Sequence, residues 1–303
     1  RVLKAPFKTI PYFIMTYFAY KHPFKVKYKT FWGDIMHFYL PEGNAIYYYG
    51  FFEANLTNFL LNYIQKGDTV IDVGAHVGYY SMLCSSLVED SGKVYSFEPT
   101  PRTFNTLKEN TSLKGNVVVN NNAVLDKEIE IEFVDYGPKF SAFNSFKKRE
   151  SDEMKFLSEP ERIKVKAISL DRYCEENNIV PNFIKIDAEG AEHLILQAMI
   201  NILKKDMPII SIEVAGEDEW KDNCSKSISM LKEFGYKAFE IAYNKVLTQG
   251  LLTGTALPLE MVFNSMEKHP GKDFKLLKSK GGYKFYVSDF KHNPSLSDAF
   301  SGD

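Results

Sequence analysis

Cysteine is scarce in this 303-residue sequence, which has only Cys84, Cys174 and Cys224. Three widely spaced cysteines exclude a disulfide scaffold and give no zinc-binding spacing. This pattern favours a reducing, cytoplasmic setting.

An excess of either charge is also missing. The chain has 37 basic and 39 acidic residues, for a net charge of −2. Nucleic-acid binding requires a basic surface, so we expect no nucleic-acid partner. The longest stretch without a charged residue is the 16 residues of 73–88, and it contains two glycines. A membrane-spanning helix needs about 20 apolar residues, so no transmembrane segment is predicted.

Aromatic residues are abundant and unevenly placed. They make up 15% of the chain, and 18 of the 44 lie within the first 60 residues. Three uses remain open for this segment: packing against the rest of the chain or a second copy in a homo-oligomer, stacking on sugar rings, and shallow contact with the inner face of a membrane. We expect an extension over 1–52, a main domain over 53–266 and a C-terminal extension over 267–303.

Apolar strands alternate with helical segments beyond residue 68. The predicted strands are Thr69–Val73, Lys93–Phe97, Asn116–Val119, Ile129–Val134, Ile163–Ile168, Asn182–Ile186, Pro208–Val214, Tyr236–Ile241 and Leu257–Phe263. A helix is predicted over Ala191–Leu203. This alternation predicts an α/β fold with a mostly parallel sheet covered by helices on both faces. Ligands of such sheets bind at the carboxyl ends of the strands. The highly charged stretch 147–166 is interpreted as a solvated helix or loop, or else as a functional lid.

A glycine-containing turn follows the first of these strands. Residues 72–78 read Asp-Val-Gly-Ala-His-Val-Gly, and Glu98 ends the next strand, where a carboxylate can accept hydrogen bonds from a ribose. His76 replaces the middle glycine of a dinucleotide fingerprint, which disfavours an NAD or nucleotide-sugar oxidoreductase. A P-loop is excluded because no Gly-Lys-Ser/Thr follows.

Two carboxylates end neighbouring strands and would flank one pocket. Asp187 and Glu213 are candidates to orient or deprotonate a substrate hydroxyl, although Asp187 is also placed to cap the next helix. Lys185 shares a strand face with Asp187 and either pairs with a carboxylate or extends to solvent. His193, one helical turn from Glu189, is a candidate base or a packing residue. A divalent metal is not favoured, because the sequence shows no third ligand.

Three motifs carry a family resemblance. Residues 72–78, Phe97-Glu98-Pro99 and the stretch 184–192 (Ile-Lys-Ile-Asp-Ala-Glu-Gly-Ala-Glu) resemble FkbM-type S-adenosylmethionine-dependent methyltransferases, over about residues 53–214. The resemblance implies a Rossmann-like class I methyltransferase fold with a mostly parallel seven-stranded sheet, its last strand antiparallel. It implies S-adenosylmethionine as donor and methylation of a hydroxyl, most often on a sugar of a glycan, glycolipid or natural product. A non-catalytic scaffolding domain in a glycan-assembly complex remains the alternative.

The resemblance also implies roles for individual residues. Glu53 would receive the donor's ammonium group, although a helix-start carboxylate is the other interpretation. The methionine end would lie on Asp72 and on the turn that contains Gly74, Ala75, His76 and Gly78, where His76 is also placed to shape the loop. Glu98, followed by Pro99, would hold the ribose, and Asn122 and Ala123 would border the adenine. Asn144, Ser145 and Glu189 are the candidates for acceptor contacts, with a simple turn as the alternative for Asn144 and Ser145.

Overall fold

A computed structural model describes residues 6–146, 160–214, 218–241, 259–264, 276–279 and 282–285. Its helices are α1 (Pro6–Lys21), α2 (Asn44–Tyr49), α3 (Ala54–Tyr63), α4 (Tyr79–Val88), α5 (Pro101–Thr111), α6 (Leu170–Glu176), α7 (Glu192–Gln197), α8 (Ile200–Lys205) and α9 (Asp218–Glu233), with a short 3-10 helix at Ser141–Phe143. Its strands are β1 (Phe24–Lys29), β2 (Ile35–Leu40), β3 (Thr69–Val73), β4 (Lys93–Phe97), β5 (Val117–Asn120), β6 (Ala123–Val124), β7 (Glu130–Asp135), β8 (Glu161–Ile168), β9 (Phe183–Ile186), β10 (Ile209–Val214), β11 (Lys237–Ile241), β12 (Leu259–Asn264), β13 (Leu276–Ser279) and β14 (Gly282–Phe285).

The central sheet confirms the expected α/β architecture. In the described part of the chain its order is β5-β4-β3-β9-β10-β12-β11-β14-β13, and the first five strands are parallel. β12 lies antiparallel between β10 and β11, as the resemblance implies for the last strand of the fold. The sheet has nine strands rather than seven, because β13 and β14 of the C-terminal extension continue it beyond β11.

Two apolar cores cover the sheet. One contains Leu56 and Phe59 of α3 and Met82 of α4, and the other contains Leu196 and Ile202 of α7 and α8. Every residue of β9 is buried, as expected for a central parallel strand that is covered on both faces. The helices therefore form layers on both sides, and the strand ends remain as the place for a site.

The N-terminal segment divides into a packed part and an exposed part. The hairpin β1–β2 places Phe38 in the same core as α3 and α4, and Asn110 of α5 hydrogen-bonds the backbone of His37 in both directions. The core therefore continues across the boundary expected at residue 53. On α1, in contrast, Tyr17 and Phe18 are more than half exposed. Packing accounts for the hairpin, whereas sugar or membrane contact stays a prediction for α1.

Two expectations about local structure were wrong. The single helix predicted over 191–203 is divided into α7 and α8, because the Asp171 carboxylate accepts hydrogen bonds from the amides of Asn201 and Ile202 and starts a new helix there. In the charged stretch, residues 161–166 belong to β8, which pairs antiparallel with β7, so the helix-or-loop interpretation is wrong there and the strand predicted over 163–168 is confirmed; residues 147–159 lie outside the described residues. The three cysteines are buried and form no disulfide. None of the helices described is long and apolar enough to cross a membrane.

Candidate active site

The turn after β3 lies against the end of β9. Gly74 has φ of +76°, and a Cβ at this position would lie 1.7 Å from the backbone oxygen of Asp187. The amides of Gly74 and Ala75 both donate to the Phe97 carbonyl at 3.0 Å. Gly78 has φ of +91° and precedes α4. Only glycine permits this close approach of strands at Gly74, so the turn draws the ends of β3, β4 and β9 together.

Glu98 lies directly after β4 and is buried beside this turn. Its Oε2 accepts the amide of His76 at 3.0 Å, and its Oε1 accepts the amide of Thr100 at 2.9 Å. Burial raises the pKa of Glu98, against the lowering effect of His76 and of these hydrogen bonds. A carboxylate oxygen accepts more than one hydrogen bond, so both oxygens retain capacity for hydroxyl donors. Pro99 contributes a carbonyl that accepts from the Asn121 side chain.

Three carboxylates meet at the carboxyl ends of β9 and β10. Asp187, Glu189 and Glu213 each place an oxygen within 4.8 Å of the other two. Glu189, which the sequence analysis placed among the acceptor contacts, is thus a third acid beside Asp187 and Glu213, in an arrangement that could ligate a divalent cation. The sequence signal was only its place in the same loop as Asp187. Together with Glu53, described below, these residues are called the carboxylate cluster.

A hydrogen bond joins Asp187 and Glu213, and their pKa values move in opposite directions. Burial and the Asp187 charge raise the pKa of Glu213 well above its ordinary value. Burial acts to raise the pKa of Asp187 as well, but Lys185 and a hydrogen bond with Glu213 outweigh it and lower that pKa. These opposite directions favour the proton on Glu213 and the negative charge on Asp187.

Lys185 is the counter-charge beneath the cluster. It is 3% exposed, and its Nζ lies 3.0 Å from Asp187 Oδ2 and 3.7 Å from Asp72 Oδ1. It also lies 5.1 Å from the centroid of the Tyr80 ring. Burial lowers the pKa of Lys185, but the Asp187 and Asp72 charges dominate and raise it. The pairing interpretation of Lys185 is therefore confirmed, and extension to solvent is excluded.

Asp72 is the fourth residue of β3, one position before the carboxyl end of the strand. It is 1% exposed, and its Oδ2 accepts a 2.6 Å hydrogen bond from Ser81 Oγ, which in turn accepts one from Ser96 Oγ. The serine hydroxyls thus fix the Asp72 carboxylate, which in turn pairs with Lys185. Direct contact of Asp72 with a donor stays a prediction.

Glu53 comes to the cluster from the N-terminal side. Its Oε2 accepts a 2.6 Å hydrogen bond from the Tyr80 hydroxyl. Burial, followed by the Asp187 charge, raises the pKa of Glu53 to about 7. Although Glu53 precedes α3, its side chain makes no capping hydrogen bond there. Glu53 thus stands at the start of α3, as the helix-start interpretation has it, but its carboxylate bonds Tyr80 rather than the helix amides and feels the charge of Asp187.

The loop from Asp187 to α7 is held by a residue that sequence reasoning missed. The buried Glu192 Oε1 accepts the amides of Ala188 and Gly190, each at 3.1 Å. Its spacing within the motif was visible, but nothing in the sequence indicated that it clamps its own loop. The residue before α7 is Ala191, so Asp187 is not the helix cap.

His193 does not share a helical turn with Glu189. Glu189 precedes α7 and has φ of +50°, so the expected helical spacing was wrong. His193 Nε2 lies 3.4 Å from Gln197 Nε2 within the helix. A role for His193 as base stays a prediction.

A second missed residue connects the N-terminal segment to the turn. Glu42, which follows β2, accepts hydrogen bonds from Ser141 Oγ and from the amide of Ala142. His76 Nε2 lies 2.6 Å from Ser141 Oγ and 3.5 Å from Glu42 Oε1. Burial lowers the pKa of His76, but Glu42 outweighs it, and the net pKa is raised. His76 is thus held by hydrogen bonds, as its loop-shaping interpretation predicted.

The remaining predicted residues lie around this centre. Asn122 donates weakly to the Lys166 carbonyl at 3.4 Å, and Ala123 is buried in β6 beside β8. Asn144 accepts from the Tyr136 amide and donates to Thr100 Oγ1, and Ser145 is buried in a backbone bridge to Val134. These contacts are structural. Contact with adenine or acceptor stays a prediction for all four.

Comparison with known proteins identifies the class. A family profile described as the methyltransferase FkbM domain matches residues 72–238, more than half of the chain. The chain belongs to the FkbM methyltransferase family, as the three motifs predicted.

A curated relative, hexuronic acid methyltransferase AglP from Haloferax volcanii, is 29% identical over 169 residues. The match covers 55% of this chain and 64% of that relative. Among solved structures, an FkbM methyltransferase from Methylobacillus flagellatus KT has a TM-score of 0.44 at 14% identity, covering 65% of this chain and 43% of that one. A putative O-methyltransferase from Klebsiella pneumoniae has a TM-score of 0.43 at 13% identity, covering 71% and 81%.

Proposed function

We propose that this protein is an S-adenosylmethionine-dependent O-methyltransferase that acts on a hydroxyl of a sugar. The observation that carries the proposal is the carboxylate cluster at the carboxyl edge of the sheet, directly beside the glycine turn and Glu98. Family membership supports methyl transfer, and the curated relative, whose name describes a hexuronic acid methyltransferase, supports a sugar acceptor.

The residues present fit the charge of the donor. S-Adenosylmethionine supplies a methyl group on a cationic sulfonium and also carries an ammonium group. Glu53, Asp187, Glu189 and Glu213 outnumber the cationic groups that act on them, Lys185 and His76, and the pKa values of Glu53 and Glu213 are raised. A bound cation favours the ionised form of each acid, so the cluster is suited to a positively charged ligand. Glu98 would accept from ribose hydroxyls.

Asp187 is suited to orient the acceptor. Its ionised carboxylate would accept a hydrogen bond from the sugar hydroxyl and direct an oxygen lone pair toward the methyl carbon. The bound donor would supply the methyl group and keep the sulfur as a neutral thioether, and Asp187 would accept the hydroxyl proton, which becomes strongly acidic once the oxygen is methylated. A strong base is therefore unnecessary. The ion pair with Lys185 keeps the Asp187 carboxylate in position, and protonated Glu213 donates a hydrogen bond to the same carboxylate.

Calorimetry with S-adenosylhomocysteine tests the donor site. The wild type should bind, and Glu98→Ala should weaken binding about tenfold or more, in line with the loss of one or two hydrogen bonds to a charged group. Glu175→Ala, at an exposed acid on α6, is the matched control and should bind as the wild type does. A wild type that does not bind refutes the cofactor assignment, and unchanged binding by Glu98→Ala refutes the ribose contact.

A methyl-transfer assay with pooled cell-envelope sugars tests the acceptor side. Asp187→Asn should lower the rate by about 10² to 10⁴, the usual contribution of a positioned acid–base group. Glu213→Gln should retain most of the rate, because the amide N–H replaces the donated proton. Equal losses in both variants would contradict the assignment of the proton to Glu213. Donor binding without any methyl transfer would favour the scaffolding alternative.

A further inference from the structure

An open groove lies on the N-terminal side of the molecule, outside the carboxylate cluster. Its volume is about 540 Å³, within the range of small-molecule sites. One wall comes from the junction of α1 and β1, and the other from the loop after β7. The lining residues are Tyr20, Lys21, Pro23, Tyr136, Gly137, Pro138, Lys139 and Phe140.

The groove combines aromatic surface with positive charge. The Tyr20 and Phe140 rings, one from each wall, have centroids 6.5 Å apart. Lys21 and Lys139 lie on opposite walls, and none of the eight described lining residues is acidic. Two acids that contact this loop are already engaged: Asp135 pairs with Arg102 at 2.7 Å, and Glu42 accepts from Ser141. The groove is therefore electrostatically suited to an anion.

The loop wall is held rigidly. Asp135 Oδ1 accepts the amide of Gly137 at 2.8 Å, and the Phe140 amide donates to the Gly137 carbonyl at 3.2 Å. Asn144 Oδ1 holds the Tyr136 amide at 2.8 Å. Because these hydrogen bonds fix the loop before a ligand arrives, less conformational entropy is lost on binding.

The same loop leads directly to the proposed methyl-transfer centre. Phe140 is followed by Ser141, whose hydroxyl lies 2.6 Å from His76 on the glycine turn. The charge of His76 in turn contributes to the lowered pKa of Asp187. The loop that forms one wall of the groove is thus linked by a hydrogen bond to His76, whose charge acts on Asp187.

We propose that this groove is an acceptor subsite for an anionic sugar, a pyranose that carries a carboxylate. The C–H face of the ring would pack on Tyr20 and Phe140, and the carboxylate would pair with Lys21 or Lys139. The inference rests on the proposed function, because it takes the sugar as part of the methyl acceptor. It goes further by assigning the recognition of the acidic group to the N-terminal segment.

Binding of two disaccharides tests the subsite without relying on catalysis. The probes are a disaccharide with a terminal glucuronate and its glucose counterpart, each titrated into the full chain at low salt. The wild type should prefer the glucuronate form, and the Lys21→Gln/Lys139→Gln double variant should lose about tenfold in affinity for it, at roughly threefold for each partly screened ion pair. Affinity for the glucose form should not change. Tyr20→Ala should weaken both probes.

Lys27→Gln is the matched control, since Lys27 is an exposed lysine of β1 outside the groove. The proposal is overturned if the wild type binds both probes equally or neither, or if the double variant behaves as Lys27→Gln does. S-Adenosylhomocysteine binding, measured on the same samples, separates this result from the proposed function. Donor binding with no preference for glucuronate refutes the subsite alone, whereas a lysine-dependent preference without donor binding refutes the methyltransferase proposal alone.

Discussion

Replacing Lys185 by methionine should destabilise the protein more strongly than most single substitutions. Lys185 is 3% exposed and lies between Asp72 and Asp187. Removing one partner of a buried ion pair typically costs about 3–5 kcal/mol, because the other charge stays buried without compensation. Asp187 is partly exposed and keeps its hydrogen bond with Glu213, so most of the penalty arises at Asp72. We therefore expect a loss of about 3 kcal/mol in the free energy of unfolding.

The penalty should depend on pH in a defined direction. Burial already raises the pKa of Asp72, and removal of Lys185 would raise it further. A carboxyl with a raised folded-state pKa stabilises the fold below its unfolded pKa, and this stabilisation is lost as the pH rises through the folded-state value. The difference in stability between Lys185→Met and the wild type should thus be larger at pH 8 than at pH 5. Urea unfolding at the two pH values measures it.

Two further variants make the Lys185 prediction refutable. Lys185→Met/Asp72→Asn removes both charges and should recover about 1–2 kcal/mol relative to Lys185→Met, since the uncompensated charge is gone. Lys108→Met, at an exposed position on α5, should stay within about 0.5 kcal/mol of the wild type. The reasoning is refuted if Lys185→Met is as stable as Lys108→Met, or if the losses from the two single substitutions at 185 and 72 simply add.

Substitutions at three other positions test the architecture around the site. Gly74→Ala should cost about 2–5 kcal/mol in thermal or urea unfolding, because it combines a positive φ with a Cβ 1.7 Å from the Asp187 carbonyl; a loss below 1 kcal/mol would contradict the close approach. Glu42→Gln should lower the pKa of His76 in an NMR titration, since Glu42 raises it, and an unchanged titration would rule out their contact. Glu192→Ala should cost about 1–3 kcal/mol by leaving two loop amides without an acceptor, whereas Glu192→Gln, which keeps a carbonyl oxygen, should lose less.

The sequence by itself determined the layered fold and the edge of the sheet that carries the site. Apolar β-branched strands such as 69–73 and 182–186, alternating with helices, specify a parallel sheet because burial on both faces demands continuous apolar runs. The glycine turn, Glu98 and Asp187 were found because each follows a strand. Strand patterns and the residues that follow them depend only on neighbouring positions in the chain, so the sequence predicts them directly.

Only the tertiary structure decided which of these groups meet and in what state of charge. Three features bring together residues that are distant in the sequence: the third carboxylate, the burial of Lys185 between two acids, and the contact of Glu42 with the turn. The two partners of the ion pair between Asp72 and Lys185, for example, are 113 positions apart. The division of the 191–203 helix follows from Asp171, a cap supplied by another helix. The C-terminal strands extend the sheet by pairing with β11, which no local pattern indicates. Charge states and helix ends depend on the dielectric environment and on partners brought together by folding, so they follow from packing rather than from residue order.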